Sequence, residues 1–235
     1  ITVKRIHDLR VALRRCRSLA GSLLLIDDYS GWKKLKRFGK RLFKSLAHLR
    51  DIHILIQWTK KLSAPNDSVR KKTLTFLRKR EKEEIKRAYK GLRDFPWKKW
   101  GQLTQALAKR YVKIAPKTQT LERLALKQKE KVNFYHRMAL KKQTPQAFHE
   151  LRIQLKHFRY LVENFLTQRH ALWGKDLKYL HDCLGEYHDL EVLKTTLQEF
   201  FASPPKGLNQ WYLRIQKEQE KRLQAYKKRY NCLHG

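Results

Sequence analysis

The chain repeats itself in a helical register, and that repeat limits its fold more than any other feature. His149-Glu-Leu-Arg-Ile-Gln-Leu-Lys-His-Phe-Arg159 echoes His7-Asp-Leu-Arg-Val-Ala-Leu-Arg-Arg-Cys-Arg17. The separation is 149 − 7 = 142, and the same step pairs Leu9 with Leu151, Arg10 with Arg152, Leu13 with Leu155, Arg17 with Arg159 and Leu19 with Leu161. A second stretch, Leu46-Ala-His-Leu-Arg-Asp51-Ile-His-Ile-Leu55, matches Leu184-Gly-Glu-Tyr-His-Asp189-Leu-Glu-Val-Leu193 at 189 − 51 = 138. Each half of the chain therefore holds a helical hairpin of common origin. The shift of four residues between the two offsets belongs in or near a helix–helix connection, where about one turn is readily gained or lost. A pseudo-two-fold axis relating the halves follows as an expectation.

Proline and glycine punctuate long patterns of helical period, and no strand alternation stands out. The spacing predicts an all-α chain of eight helices, over about 2–27, 31–62, 68–92, 96–111, 118–142, 145 onward, 172–201 and 208–232. Leu35, Phe38, Leu42, Leu46, Leu49, Ile52 and Ile56 form the apolar stripe of the second. The third, with Glu81, Glu83 and Glu84 among many cations, reads as an outer helix laced with i,i+4 ion pairs. Pro116 marks the midpoint, which predicts two four-helix bundles, 1–115 and 116–235, within one domain.

At about 100° per residue, His7, Arg10, Arg14 and Arg17 fall within roughly a quarter turn. Ile6, Leu9, Leu13, Cys16 and Ala20 form the adjacent apolar sector. The second copy behaves alike, with His149, Arg152, Lys156 and Arg159 beside Phe148, Leu151, Leu155, Phe158 and Val162. Each cationic stripe thus flanks the core, facing a groove, and symmetry sets the two stripes opposite each other. The second helix of each hairpin adds Lys33, Lys36, Arg37, Lys40 and Lys44 in one half and Lys175 and Lys178 in the other, with Lys36 and Lys178 equivalent under the first offset. A solvated helix face explains most of these lysines equally well. Tyr160 lies at the edge of its stripe, placed either to donate to a ligand or to pack in the core. Glu163 is placed to orient Arg159, and Asp51 and Asp189 read as ion-pair or capping partners between hairpins.

Charge then decides the class of partner. Lys and Arg number 55 against 21 Asp and Glu, a formal net charge of +34. So much like charge on a compact body costs stability through self-repulsion. It implies a polyanionic partner: nucleic acid, an acidic membrane surface or polyphosphate. Guanidinium forks grip two phosphate oxygens at once, Lys adds point charge, and a histidinium adds a donor. About ten residues at 1.5 Å each make a stripe of roughly 15 Å, which suits a linear chain of phosphates better than a single one. If His7 and His149 bind as cations, affinity should vary with pH near 6–7.

Other chemistries find little support. The three cysteines, Cys16, Cys183 and Cys232, show no CxxC spacing. Cys16 reads as a small core residue, compatible with a reducing cytoplasm. His7 and His149 could meet across a two-fold axis, but surrounding cations disfavour a metal, and no HExxH or Cys/His cluster is present. No cofactor is implied. There is no glycine-rich phosphate loop, no GxSxG and no carboxylate cluster for Mg²⁺, so no enzyme is expected; His7 or His149 as a phosphoacceptor in a phosphohydrolase is the weaker alternative. The apolar run at 19–26 is too short and too interrupted to span a membrane. The chain opens on Ile1 instead of Met, leaving room for residues upstream. Nothing in the pattern sets an oligomeric state.

His7-x-x-Arg10-x-x-x-Arg14-x-x-Arg17 and His149-x-Leu-Arg-Ile-x-x-Lys156-x-x-Arg159-Tyr160-x-x-Glu163, with Leu184-Gly-x-x-x-Asp189 after Lys178, resemble the CHAD family, the conserved histidine α-helical domain. The resemblance spans nearly the whole chain. It implies two four-helix bundles about a pseudo-two-fold axis, with a basic central channel that binds inorganic polyphosphate, and an association with polyphosphate granules. His7, Arg10, Arg14, Arg17, Lys36, Arg37, Lys40, His149, Arg152, Lys156, Arg159, Tyr160, Lys175 and Lys178 are the expected binding set. The first half departs from the pattern, with Arg50 where the second has His188 and no Leu-Gly pair, so the halves need not contribute equally. Nucleic acid is the secondary candidate partner, supported by bulk charge alone.

Overall fold

The computed structural model describes residues 2–115, 117–201 and 203–234, with the side chains of all of these except 167 and 232–234. Pro116 and the Cys232 side chain therefore lie outside the described residues. Every regular element among the described residues is helical: α1 (Val3–Leu23), α2 (Ser30–Ser45), α3 (Ala47–Lys61), α4 (Ser68–Arg93), α5 (Trp97–Ile114), α6 (Thr118–Lys142), α7 (Pro145–Phe165), α8 (Thr167–Phe200) and α9 (Leu208–His234). No helix in the described residues is long and apolar enough to cross a membrane.

Capping starts these helices where the sequence offers an oxygen. Thr2 Oγ1 accepts the Arg5 amide, and Thr144 Oγ1 accepts that of Ala147, with Pro145 in the first turn of α7. Asp67 caps α4 through the Arg70 amide at 2.9 Å. The same carboxylate accepts the Trp211 indole N–H at 3.1 Å and Arg214 at 3.2 Å, tying the start of α4 to α9.

Among the described residues nine helices replace the expected eight, because the predicted 31–62 helix breaks at Leu46. Ser45 Oγ donates to the Leu42 carbonyl at 2.8 Å, the acceptor that the Leu46 amide would use in an unbroken helix. In the other half Cys183 stands at the equivalent place (183 − 45 = 138), and a thiol is a weak donor. There α8 runs unbroken from Thr167 to Phe200. It also begins earlier than the expected 172. α1 and α7 end 165 − 23 = 142 residues apart, whereas α2 and α8 begin 167 − 30 = 137 apart. The six-residue link 24–29 of the first half is thus reduced to Leu166 in the second.

Four bodies of apolar side chains hold the helices among the described residues. α1 and α2 bury Ile6, Leu13, Leu42 and Leu46 against Ala88 and Phe95, and Ala20, Leu23, Trp32 and Leu35 against Leu107 of α5. α6, α7, α8 and α9 enclose Val132, Phe148, Leu151, Leu155, Leu180 and Tyr226. The fourth body joins residues from both sides of the chain midpoint, with Ile52, Leu55 and Trp58 of α3 and Leu77 of α4 against Leu190, Leu193 and Leu197 of α8 and Trp211 and Ile215 of α9. Alongside it α1 packs on α7 and α3 on α8. The repeated segments therefore meet face to face.

Gly91 of α4 lies directly over the break. A Cβ there would stand 2.5 Å from Ser45 Cβ, inside van der Waals contact. Gly91→Ala is expected to destabilise the chain by about 1–3 kcal/mol in denaturant unfolding, although alanine is the better helix former by about 1 kcal/mol.

Candidate functional site

The stripes of α1 and α7 line two adjoining cavities. One, of about 500 Å³, is bounded by His7, Arg10 and Arg14 of α1, Arg50 and Asp51 of α3, Arg152 and Lys156 of α7, and His181, Asp182, Glu186, His188 and Asp189 of α8. The other, of about 380 Å³, takes Arg14, Arg17, Lys36, Lys156, His157 and Tyr160, with Ser18, Ser22 and Gln128 and apolar walls from Leu25, Leu124 and Leu161. Arg14, Phe43 and Lys156 belong to both, so the two form one groove.

Local packing explains why the cations stay beside the core. Arg10 is only 7% exposed, more buried than Leu9 of the predicted apolar sector. Its Nη1 donates at 2.8 Å to the Phe43 carbonyl, which in an unbroken helix would serve residue 47. The break at Leu46 thus supplies an acceptor for a buried guanidinium. The Phe43 ring carries three guanidiniums, those of Arg10, Arg17 and Arg14 at 4.0, 5.0 and 5.7 Å from its centre. The negative ring face attracts each cation. Gly39 of α2 leaves space for the Arg17 stem, which would lie 2.9 Å from an added Cβ. Donors remain uncommitted: Arg10 Nε, Arg17 Nε and Arg152 Nε are buried with no hydrogen-bond partner among the described residues.

Burial and crowding set the protonation of the groove. Burial, then neighbouring arginines, pushes Lys156 down to about 8. Arg10 falls to about 10 for the same first reason, against the pull of Asp51. Burial and nearby arginines lower His7 and His149, and lower His188 to about 4. These imidazoles are therefore neutral at pH 7 in the free chain, not the cations that a phosphate-binding stripe suggests. Asp189 is raised to about 6 by burial, and Asp51 is raised too, although its side chain is open to the cavity. Protein crowds Asp51 on its other sides, and that crowding dominates over the cavity water.

Of the expected binding set, the groove gathers His7, Arg10, Arg14, Arg17, Lys36, Arg152, Lys156 and Tyr160. Tyr160 is both buried and groove-lining, so its two readings coincide. The rest are placed elsewhere. Arg159 is held by Glu163, whose Oε1 accepts from its Nε at 3.3 Å and Nη2 at 3.0 Å. The Lys178 ammonium pairs with Asp182 at 2.6 Å. Lys175 lines a separate cavity with Asp176, Tyr179 and Arg229, because it is turned away from the groove side of α8. Arg37 and Lys40 are exposed on α2 outside the groove lining. His149 lies against His188, the rings tilted by 48° with centres 4.7 Å apart, beside the groove and not in its wall.

Phe43 as a platform, and Arg50, His181 and His188 as wall residues, lie outside the expected binding set. The second offset carried the signal, since 188 − 50 and 181 − 43 both equal 138. Phe43 also falls off the apolar stripe of α2. Half-buried Cys16 and buried Cys183 are free thiols raised by burial. Among the described residues no three of His, Cys, Asp or Glu are placed to hold a metal ion.

A family model described as CHAD domain matches residues 2–198. No curated protein and no solved structure matches the chain. The matched stretch covers α1 to α7 and nearly all of α8, while α9 lies beyond it yet buries Trp211 and Tyr226 completely.

Depressed histidines bind protons more readily in the unfolded chain, so stability is lost as pH falls from about 6.5 towards 4. The two raised carboxylates act in the opposite sense over about pH 4–6, and they are fewer than the lowered imidazoles. Melting temperature is accordingly expected to fall between pH 7 and pH 5. His188→Gln should recover about 1–2 kcal/mol of the loss at pH 5, read from denaturant unfolding at both pH values.

Proposed function

This chain belongs to the CHAD domain family, and on that premise we propose that it binds inorganic polyphosphate, without cleaving it, in the groove between α1 and α7. One observation carries the reading. Arg14 and Lys156, equivalent in the repeat (156 − 14 = 142), stand at the junction of two cavities whose arginines keep buried, uncommitted donors. Desolvated cations repel one another more strongly than cations in water. A run of phosphates relieves that repulsion and supplies acceptors to the free N–H groups. Polyphosphate suits the groove because each unit carries charge with no sugar or base to accommodate.

In this reading the halves 1–115 and 116–235 are two four-helix bundles related by a pseudo-two-fold axis, and the groove is the channel between them. The lining residues act as donors and point charges, and none acts as a nucleophile. Association with polyphosphate granules in the cytoplasm follows from the ligand. Nucleic acid is the competitor to exclude, since any phosphate polymer responds to bulk charge. Bound polyphosphate should resist displacement by excess oligonucleotide, and ready displacement would overturn the reading.

Replacing Arg14 and Lys156 together by alanine removes two charge-assisted contacts, each about 1.5–3 kcal/mol. Polyphosphate affinity is expected to drop at least about 100-fold by calorimetry, with helicity unchanged by circular dichroism. A chain-length series should show affinity rising with length until the groove of roughly 15 Å is filled.

The lysine also predicts a pH dependence. Lys156 titrates near 8 in the free chain, and bound phosphate raises it, so affinity should fall as pH rises through about 8. Lys156→Arg is expected to abolish that decline between pH 7 and 9, because a guanidinium keeps its proton there.

A further inference from the structure

The outer face of α2 carries charge that its own helix does not offset. Residues 30–45 hold seven Lys and Arg and no carboxylate, and all seven cations are exposed. At about 100° per residue, Lys33, Lys36, Arg37, Lys40 and Lys44 share a sector of about 100°, opposite the buried Leu35 and Leu42. Cations three and four residues apart on one face repel one another. On α4, which is also basic, Glu81, Glu83 and Glu84 stand among the cations. Lys33 is paired with Asp28 at 2.7 Å, whereas Arg37, Lys40 and Lys44 have no ion pair or hydrogen bond among the described residues.

One edge of this stripe is already in the groove. Lys36 lines the smaller cavity beside Phe43, and its Nζ stands 3.9 Å from where a Cβ on Gly21 of α1 would be. Lys40 lies about 40° further round α2 than Lys36, and Lys44 and Arg37 lie further still. The lining of the smaller cavity holds no carboxylate, so cations run from Arg14 and Lys156 through Lys36 onto the outer face. The larger cavity, by contrast, has Asp51, Asp182, Glu186 and Asp189 in its wall.

Resting on the polyphosphate reading above, we propose that the outer face of α2 is a second binding surface for the same ligand. It takes the run of phosphates that leaves the groove by the smaller cavity, with Lys36 shared between the two, and so favours chains longer than the groove.

The length and the energetics fit this role. Lys36 to Lys44 spans eight residues, about 12 Å of helix, nearly as long again as the groove. Exposed cations contribute little one by one, because water screens them and binding costs their side chains freedom. Their effect is large only for a ligand that the groove already holds, since the second contact is then intramolecular and meets a high effective concentration. A chain that ends within the groove never reaches them. Affinity therefore rises again beyond the length that fills the groove. Nucleic acid gains from the same cations through counterion release, but without the anchor in the groove.

The test compares the full chain with a variant in which Arg37, Lys40 and Lys44 are replaced together by glutamine, a residue of similar helix propensity. A second variant, with Lys71, Lys79 and Lys82 of α4 replaced likewise, removes the same charge from another exposed face. Calorimetry in about 0.15 M salt, where charges reach only about 8 Å, uses inorganic tripolyphosphate, long-chain polyphosphate and a single-stranded oligonucleotide. The α2 variant should bind long-chain polyphosphate about 10-fold more weakly, and tripolyphosphate within about 2-fold of the unmodified chain. For the long chain, the slope of log affinity against log salt should become shallower by about 2, from three lost contacts at about 0.7 each. The α4 variant should keep long-chain affinity within about 2-fold. Thermal melts check that both variants fold. Equal losses for both phosphates, equal losses in both variants, or unchanged long-chain affinity in the α2 variant overturns this inference alone. So does a loss confined to the oligonucleotide, which assigns the face to nucleic acid. An unmodified chain that binds neither phosphate overturns the polyphosphate reading as well.

Discussion

The structure depends on cations kept partly out of water without carboxylates paired to them. Arg10, Arg14 and Arg17 lie over the Phe43 ring, and Arg10 donates to a main-chain carbonyl. A neutral aromatic face, and for Arg10 a backbone carbonyl as well, holds each guanidinium in place without cancelling its charge. A carboxylate would hold it as well and leave nothing for a ligand. Glu163 does this to Arg159, and Asp182 does it to Lys178, and both of those cations stand outside the groove lining.

The rest of the fold keeps the two charged stripes against each other. The apolar body shared by α3, α4, α8 and α9 brings α1 close to α7 and the second repeated segment of one half close to its counterpart. Burial of that much apolar surface opposes the repulsion across the groove. α9 contributes Trp211 and Ile215 to this body, and the Asp67 cap links it to α4. The helix beyond the matched family stretch is therefore part of the same core.

The two halves use one pattern with different chemistry. Where the first has Ser45 the second has Cys183, and only the hydroxyl takes its helix's carbonyl. Beside the break the Phe43 carbonyl accepts from Arg10. Where the first half has Phe43 under Arg17, the second has His181, whose Nδ1 lies 3.4 Å from Arg159 Nη1. The same repeated arginine is thus left with free donors in one half and tied to Glu163 in the other. Part of that difference was legible in sequence, since Glu163 stands four residues after Arg159 where Gly21 stands four after Arg17, whereas the contacts with Phe43 and His181 depend on what the second helix presents.

Periodicity alone determined the helical class, the apolar stripes Phe148, Leu151, Leu155, Phe158 and Val162, and the sector in which the cations lie. These follow from about 3.6 residues per turn and need no knowledge of neighbours. Tertiary structure decided which cations share a cavity, since Lys36 enters it and Lys175, on a related helix, does not. It also decided protonation. The histidines that head each stripe read as phosphate-binding cations in sequence, but burial and adjacent arginines leave them neutral. Desolvation and Coulomb forces act through space between segments more than a hundred residues apart, and no local pattern records those distances.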